Sequence, residues 1–348
     1  MLRRVLIAYT SRPPTIDYLK AAFARRGIEA RGVHADENTW FDRYVIHRVN
    51  KLAHNFRLIP KSRNLFEDHP ATHLNHRSER LRSAIAAWDP DLVLLIRGLV
   101  YRPWAAAAAR RKFAWWVEAD ERVDEALREA AQFDHFFFIN SASAEAARRA
   151  GYPAGYLPHA ADPSVFRPLP GAHKRFDFSF VGLWSTKREQ YLRAALDVSE
   201  NGAIYGPKWR RKTFRDPRLR RAVKGRYIGG EALVRLYNES KVVINVTEWG
   251  AGAARSGMTM RLFEVPATGT LLLTDRSLEI EREMTPGQHI ATFADAAQFA
   301  EKLAYYLKHD PEREALAVHG MAHVRSHHTY DQRVETIIAA YRDVPVSG

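Results

Sequence analysis

The sequence predicts an α/β protein built as two doubly wound, Rossmann-like halves. Short continuous apolar runs alternate with amphipathic segments of helical period, the pattern of strands buried on both faces of a parallel sheet and of the helices between them. The alternation stops at residues 152–175, where five prolines fall in one stretch, and then restarts. At 348 residues the chain exceeds what one hydrophobic core normally organises.

The elements follow in order. "RRVLIAYT" (3–10) reads as a first strand and "TIDYLKAAFARRGIEARGV" (15–33) as an amphipathic helix and its exit. No GxGxxG follows the strand, so the dinucleotide fingerprint is missing. Residues 40–84 are polar, basic and helical in pattern, clearest in "DRYVIHRVNKLAHNFRL". "DPDLVLLIRG" (89–98), "KFAWWVEAD" (112–120) and "DHFFFINS" (134–141) are buried strands. "PWAAAAARR", "RVDEALREAAQ" and "SASAEAARRAG" are the helices among them, the last opening on a serine cap and closing at a glycine. "YPAGYLPHAADPSVFRPLPGAHKR" (152–175) reads as a linker. Beyond it, "FDFSFVGL", "GAIYG", "KVVINVTE" and "TLLLTD" are strands. "KREQYLRAALDVS", "GGEALVRLYNES", "TMRLFEVPATG", "FAEKLAYYLKHD" and "REALAVHGMAHVRSHH" are helices. The expected domains are 1–160 and 161–329, with a helix at 330–348 packing back on the first.

Composition narrows the class. Apolar residues make up 46% and charged residues 27%, enough apolar surface for packed cores. Cysteine is absent, which excludes disulfides, thiolate metal ligands and a cysteine nucleophile, and fits a cytoplasmic protein. The apolar run Val5–Tyr9 is too short for a signal peptide, and no stretch approaches the roughly 20 apolar residues of a membrane span. Net charge is +13, concentrated in residues 207–226, where ten Lys/Arg meet a single Asp. Such a segment is a solvated loop or a phosphate seeker, on nucleic acid, anionic lipid or a nucleotide. Its aromatic neighbours are only Trp209, Phe214 and Tyr227, and no nucleic-acid module surrounds it, which disfavours a nucleic-acid partner.

Two segments carry candidate ligand chemistry. In "FVGLWSTKRE", Gly182 ends a strand, and Lys187 and Arg188 open a helix; a glycine admits a ligand to the backbone, and cations at a helix start suit a diphosphate. In "GAGAARSGMTMRLFE", glycines 250, 252 and 257 loosen a loop, and Ser256 or Thr259 caps the next helix. Arg261 and Glu264 share one face of that helix, among the apolar Met260, Leu262, Phe263 and Val265. A carboxylate there suits vicinal sugar hydroxyls and the arginine a pyrophosphate; the alternative is a surface ion pair.

"GMTMRLFEVPATGTLLLTDR", with the helical stretch after it and the upstream "YLPHAADPSVFRPL", "FDFSFVGLWSTKRE" and "LYNESKVVINVTEW", resembles the CgeB-like (spore maturation protein) glycosyltransferases. These are relatives of the family 4 (group 1) glycosyltransferases with the GT-B fold, two Rossmann-like domains facing across a cleft. The similarity covers roughly residues 110–340. It implies a Leloir glycosyltransferase with a nucleotide-diphosphate-sugar donor in the C-terminal domain. Glu264 would then bind the ribose and Arg261, Lys187 and Arg188 the diphosphate, with Gly257, Met258 and Thr259 in the adjoining loop. The family's second glutamate, eight residues before the ribose carboxylate, is here Ser256, so the usual E-x7-E contact with the donor sugar is lost.

The resemblance also implies catalysis without a bound metal or other cofactor, and the spacing of His69, His73 and His76, and of His323 and His327, is helical rather than that of a metal centre. Glu118 and Asp120, just past "FAWWV", are the candidate bases for an acceptor hydroxyl; the alternative for Asp120 is helix capping. His159 at the linker would touch the donor or serve a turn, and Tyr205, Gly206 and Trp209 would line a base pocket. The acceptor is unspecified. A peripheral site on an anionic inner membrane surface, through residues 207–226, and a non-catalytic nucleic-acid-binding role are the alternatives for the basic segment.

Overall fold

The computed structural model describes residues 1–9, 14–34, 39–60, 63–96, 101–118, 123–248 and 258–344. The chain divides into two compact units. Met1–Leu157 and the C-terminal residues from Val334 form the first, and Pro158–Arg333 the second.

The first unit holds a parallel sheet of six strands in the order β2-β1-β3-β4-β5-β6. In chain order its elements are β1 (Arg4–Tyr9), α1 (Thr15–Ala24), β2 (Glu29–His34), α2 (His47–Asn55, entered through a π-helical turn Asp42–Ile46) and α3 (His73–Trp88). Then come β3 (Leu92–Ile96), β4 (Lys112–Trp116), α4 (Val123–Ala130), β5 (His135–Phe138), α5 (Ser141–Arg149) and β6 (Ala154–Tyr156). β3 is buried at every position, as its unbroken apolar run requires.

Four expectations are corrected here. The exit "EARGV" is itself part of an edge strand, β2, pairing Arg4 with Glu29 through Tyr9 with His34. "PWAAAAARR" forms only one 3-10 turn, Pro103–Ala106. Ala105 and Ala106 bury against the core, while Arg110 is drawn to Asp89 and Asp91, so tertiary anchors override alanine's helix preference. The cap of α5 is Asn140, without a side-chain cap bond, because pairing of the Ile139 N–H with Trp116 O leaves Ser141 already helical. The linker's first residues are the sixth strand. Phe136–Phe138 pair with Ala154–Tyr156, and Pro153 sits just before the strand, where its missing N–H costs nothing.

The second unit repeats the plan with the order β12-β11-β10-β7-β8-β9, all parallel. Its elements are β7 (Phe176–Val181), α6 (Thr186–Val198), β8 (Gly202–Tyr205), α7 (Trp209–Lys212), α8 (Pro217–Ala222), β9 (Val223–Gly225), α9 (Gly230–Asn238) and β10 (Ser240–Asn245). After these come α10 (Arg261–Ala267), β11 (Leu271–Asp275), α11 (Leu278–Glu283), β12 (Ala291–Phe293), α12 (Ala296–Lys308) and α13 (Asp310–His327). α14 (Tyr330–Asp343) leaves this unit after Arg333. Phe178, Phe180, Leu192, Trp209, Val242 and Leu273 belong to one buried cluster between the sheet and its helices. The basic stretch 207–226 is thus two short helices and an edge strand, anchored by buried Trp209 and Leu219.

Candidate functional site

The order of the second sheet reverses between β7 and β10. From β7 the chain moves outward through β8 and β9, and from β10 outward through β11 and β12. Open parallel sheets bind ligands beyond the carboxyl ends of the strands that flank such a switch. Here those ends bring together Gly182 and the first turn of α6, Asn245 to Thr247 at the end of β10, Asp275 as the last residue of β11, and α10.

Asp275 organises this edge. Its carboxylate accepts from the Thr247 backbone N–H (3.0 and 3.1 Å), the Thr247 hydroxyl (2.7 Å) and Lys187 Nζ (3.1 Å). Lys187 also donates to Thr247 O at 2.8 Å. Arg188 lies across the switch: Nε donates to Val246 O and Nη1 to Leu183 O, each at 2.9 Å, and Glu248 stands 3.3 Å away. Burial holds the Arg188 guanidinium below its usual pKa, with Glu248 opposing the effect. Ser185 caps α6, accepting from the Arg188 N–H at 3.2 Å. Asp275→Ala is expected to cost about 3 kcal/mol in urea unfolding, because it strands the buried Thr247 N–H and unpairs Lys187.

Arg261 and Glu264 do not form an ion pair among the described residues. Arg261 Nη1 reaches Asn245 Oδ1 at a long 3.4 Å, and its buried Nε has no partner among the described residues. Asn245 is fixed by donating Nδ2 to Thr274 Oγ1 at 2.9 Å. Glu264 is 4% exposed, packed among the buried Leu262, Phe263 and Val265. Burial raises its pKa to about 7, and the Arg261 charge opposes this only in part. A surface ion pair is therefore ruled out for these two side chains. Thr259 does not cap α10. Met260 holds the cap position in helical geometry, and the Thr259 hydroxyl turns 3.4 Å from Asn245 Oδ1 instead. Met258 is fully buried, and Gly257 lies outside the described residues.

Gly182 is tied internally. Its N–H donates to Tyr205 O at 2.9 Å, its carbonyl accepts from Trp209 Nε1 at 2.8 Å, and an added Cβ would stand 2.8 Å from the Phe180 ring. Trp209 is buried completely, edge-on to Phe180, and so is a core anchor rather than the wall of an open base pocket. Tyr205 lines a cavity of about 760 Å³ with Lys224, Ile228, Glu231 and Arg235; its walls include none of Gly182, Lys187, Arg188, Arg261 and Glu264. His159 is held neutral near pH 7, its pKa lowered to about 4 by burial and by Arg333. Arg333 in turn donates to the Pro158 and His159 carbonyls at 2.8 Å. In the first unit, Glu118 follows the carboxyl end of β4, and its carbonyl accepts from Asn140 Nδ2 at 3.4 Å. Asp120 lies outside the described residues. No group of three or more histidine or carboxylate side chains is placed to hold a metal ion among the described residues.

Sequence reasoning missed Asn245, Thr247 and Asp275. Their signal was present in the polar residues that end the apolar runs of "VVINVT" and "LLLTD".

The architecture is that of the GT-B glycosyltransferases, and solved structures of that fold are similar over nearly the whole chain. Sucrose-phosphate synthase from Thermosynechococcus elongatus aligns with a TM-score of 0.67 and 13% identity over 98% of each chain. HepE from Anabaena, solved with UDP and glucose, gives 0.65 and 11% over 99% of this chain and all of that one. AviGT4, a glycosyltransferase involved in avilamycin A biosynthesis, gives 0.65 and 14% over 99% of this chain and 98% of that one. By sequence, residues 187–339 match a family described as glycosyl transferase-like. No curated protein sequence matches the chain.

Proposed function

We propose that the chain is a glycosyltransferase of CgeB-like type that moves a sugar from a nucleotide-diphosphate sugar to an acceptor hydroxyl without a bound metal. The observation that carries this reading is Glu264, a buried carboxylate with no hydrogen bond or ion pair among the described residues, on a helix at the switch point of a glycosyl transferase-like domain. Buried charges are normally paired. A carboxylate aimed at two ribose hydroxyls would find that pairing in the ligand.

Arg261 is the cation for the diphosphate, because the other two candidates are already engaged: Lys187 with Asp275, and Arg188 with two carbonyls and Glu248. Lys187 and Arg188 would then shape the pocket and add positive potential. Gly182, Met258, Thr259 and Gly257 would form its lining, and Glu118 or Asp120 would take the acceptor proton. Structures of the same fold solved with UDP and with UDP-glucose make uracil the first base to try.

Thermal shift with UDP, GDP, dTDP, ADP and CMP tests the reading. A hundredfold excess over Kd should stabilise the chain by about 2.7 kcal/mol. Arg261→Ala is expected to weaken the stabilising diphosphate about 10- to 100-fold, the range of a hydrogen bond to a charged group, and Lys187→Ala by less than tenfold. If no diphosphate shifts the melting curve while an RNA or DNA oligomer does, the transferase reading fails.

A further inference from the structure

Eight of the sixteen large apolar residues that are exposed among the described residues fall between positions 40 and 66 of the first unit. Monomeric surfaces seldom gather apolar side chains this way without a use. Trp40 is 70% exposed, Phe56 71% and Leu58 76%, and Tyr44, Leu52 and Phe66 are exposed beside them in sequence. The local fold explains why they face outward. α2 buries only Asn50 and Ala53, and Asn50 ties the helix to Leu65 by accepting from its N–H at 2.6 Å and donating to its carbonyl at 3.2 Å. A polar clasp thus holds the helix down, and Leu52, with Tyr44 and Phe56 on either side of the helix, is left on the surface.

Cations are interleaved with them. Arg43, Arg48, Lys51 and Arg57 are exposed, and none has a carboxylate partner among the described residues. Arg48 instead lies 5.6 Å over the Tyr44 ring, which in turn packs 5.9 Å from Trp40. Aromatic and aliphatic groups set among unpaired Lys and Arg are the composition of an interfacial lipid-binding surface. Among the described residues no helix is long and apolar enough to cross a membrane.

We propose that this surface, from Trp40 to Leu58 together with Phe66, docks the protein on an anionic lipid bilayer, with the aromatics at headgroup depth and the cations on lipid phosphates. Charge decides the occupant. A second copy of the chain on a two-fold axis would set the same cations against each other. The segment 207–226 is the weaker candidate, because Arg218 and Arg221 are already paired with Asp197 and Glu200 and fewer apolar residues are exposed there. The inference is independent of the donor site, and its test uses no nucleotide.

The full chain is sedimented with vesicles of phosphatidylcholine alone and of phosphatidylcholine mixed with phosphatidylglycerol, at low and high salt. Binding is expected only to the anionic vesicles and to fall with salt. The triple variant Tyr44→Ser, Leu52→Ser, Phe56→Ser should keep the wild-type melting temperature, since all three are exposed, and lose at least about tenfold in partitioning. Trp40 fluorescence, taken as the difference between wild type and Trp40→Phe, should be quenched by brominated lipid. The proposal is overturned if anionic vesicles do not bind at low salt. It is equally overturned if the triple variant binds like wild type while Arg210→Ala, Arg211→Ala, Lys212→Ala does not. Self-association in solution that the triple variant abolishes, with no vesicle binding, would make the face an interface between copies.

Discussion

Glu264→Gln is expected to make the protein more stable at pH 8 and, with Glu264 as the proposed ribose carboxylate, unable to bind a nucleoside diphosphate. The carboxyl is buried and its pKa is raised to about 7. The folded state therefore binds a proton more tightly than the unfolded chain does. That contribution is fully present below the unfolded pKa near 4.5 and is lost as pH rises through about 7. By pH 8 the folded state bears the whole cost of a buried charge, about 3 kcal/mol for a displacement of this size. Glutamine is neutral at every pH and nearly the same shape. The variant should match wild type near pH 4 and exceed it by about 3 kcal/mol at pH 8, a rise on the order of 8 °C in melting temperature for a unit of this length.

The ligand reverses the balance. In the proposed donor site, two ribose hydroxyls donating to Glu264 would favour its ionised form, so nucleotide binding should release a proton below pH 7, and affinity should rise with pH until about 7. Calorimetry in buffers of different ionisation enthalpy reads that proton directly. Stabilised apo protein together with lost nucleotide binding marks a residue kept for function at the expense of the fold. A glutamine variant that binds the diphosphate as tightly as wild type would remove Glu264 from the site.

Glu264 was legible in the sequence because a charge inside "MRLFEV" contradicts its surroundings. β3 and β5 were legible for the opposite reason, since strands buried on both faces tolerate little but apolar residues. β2 was not. It pairs on one side only and leaves most of its side chains wholly or partly exposed, so "EARGVH" carries no period that distinguishes it from a helix exit. Asn245 and Asp275 were hidden by distance. Each is a short polar residue where a strand ends, locally identical to a turn signal. Their partnership with Thr247, Thr274 and Lys187 exists only because β10 lies beside both β11 and β7, and a linear reading cannot supply that order. Trp209 misled in a related way. Nine of the seventeen residues that follow it up to Arg226 are Lys or Arg, a run that announces no core position, yet Gly182 O accepts its indole N–H inside the fold.

That same contact makes Gly206→Ala a severely damaging substitution. Gly206 sits at φ +156°, and a Cβ there would fall 1.8 Å from Gly182 O and 3.1 Å from the Trp209 ring. The obstacle on the first side is backbone. It cannot rotate away as a side chain would, because Gly182 is fixed by its N–H bond to Tyr205 O and by the indole on its carbonyl. Relief requires β7 and β8 to part at their carboxyl ends, where Arg188 and the first turn of α6 are attached. The expected cost is about 4 kcal/mol or more, the range of severe backbone and packing lesions, and on the order of 10 °C in melting temperature. Gly230→Ala is the control. Its φ is +57° and nothing lies within 4 Å of the added carbon, so only the left-handed strain of about 1 kcal/mol should appear. Equal destabilisation by the two substitutions would show that backbone conformation, and not the approach of Gly206 to Gly182, governs this turn. A large gap between them, with nucleotide binding lost in Gly206→Ala even at temperatures where it stays folded, would tie the β7–β8 closure to the shape of the donor site.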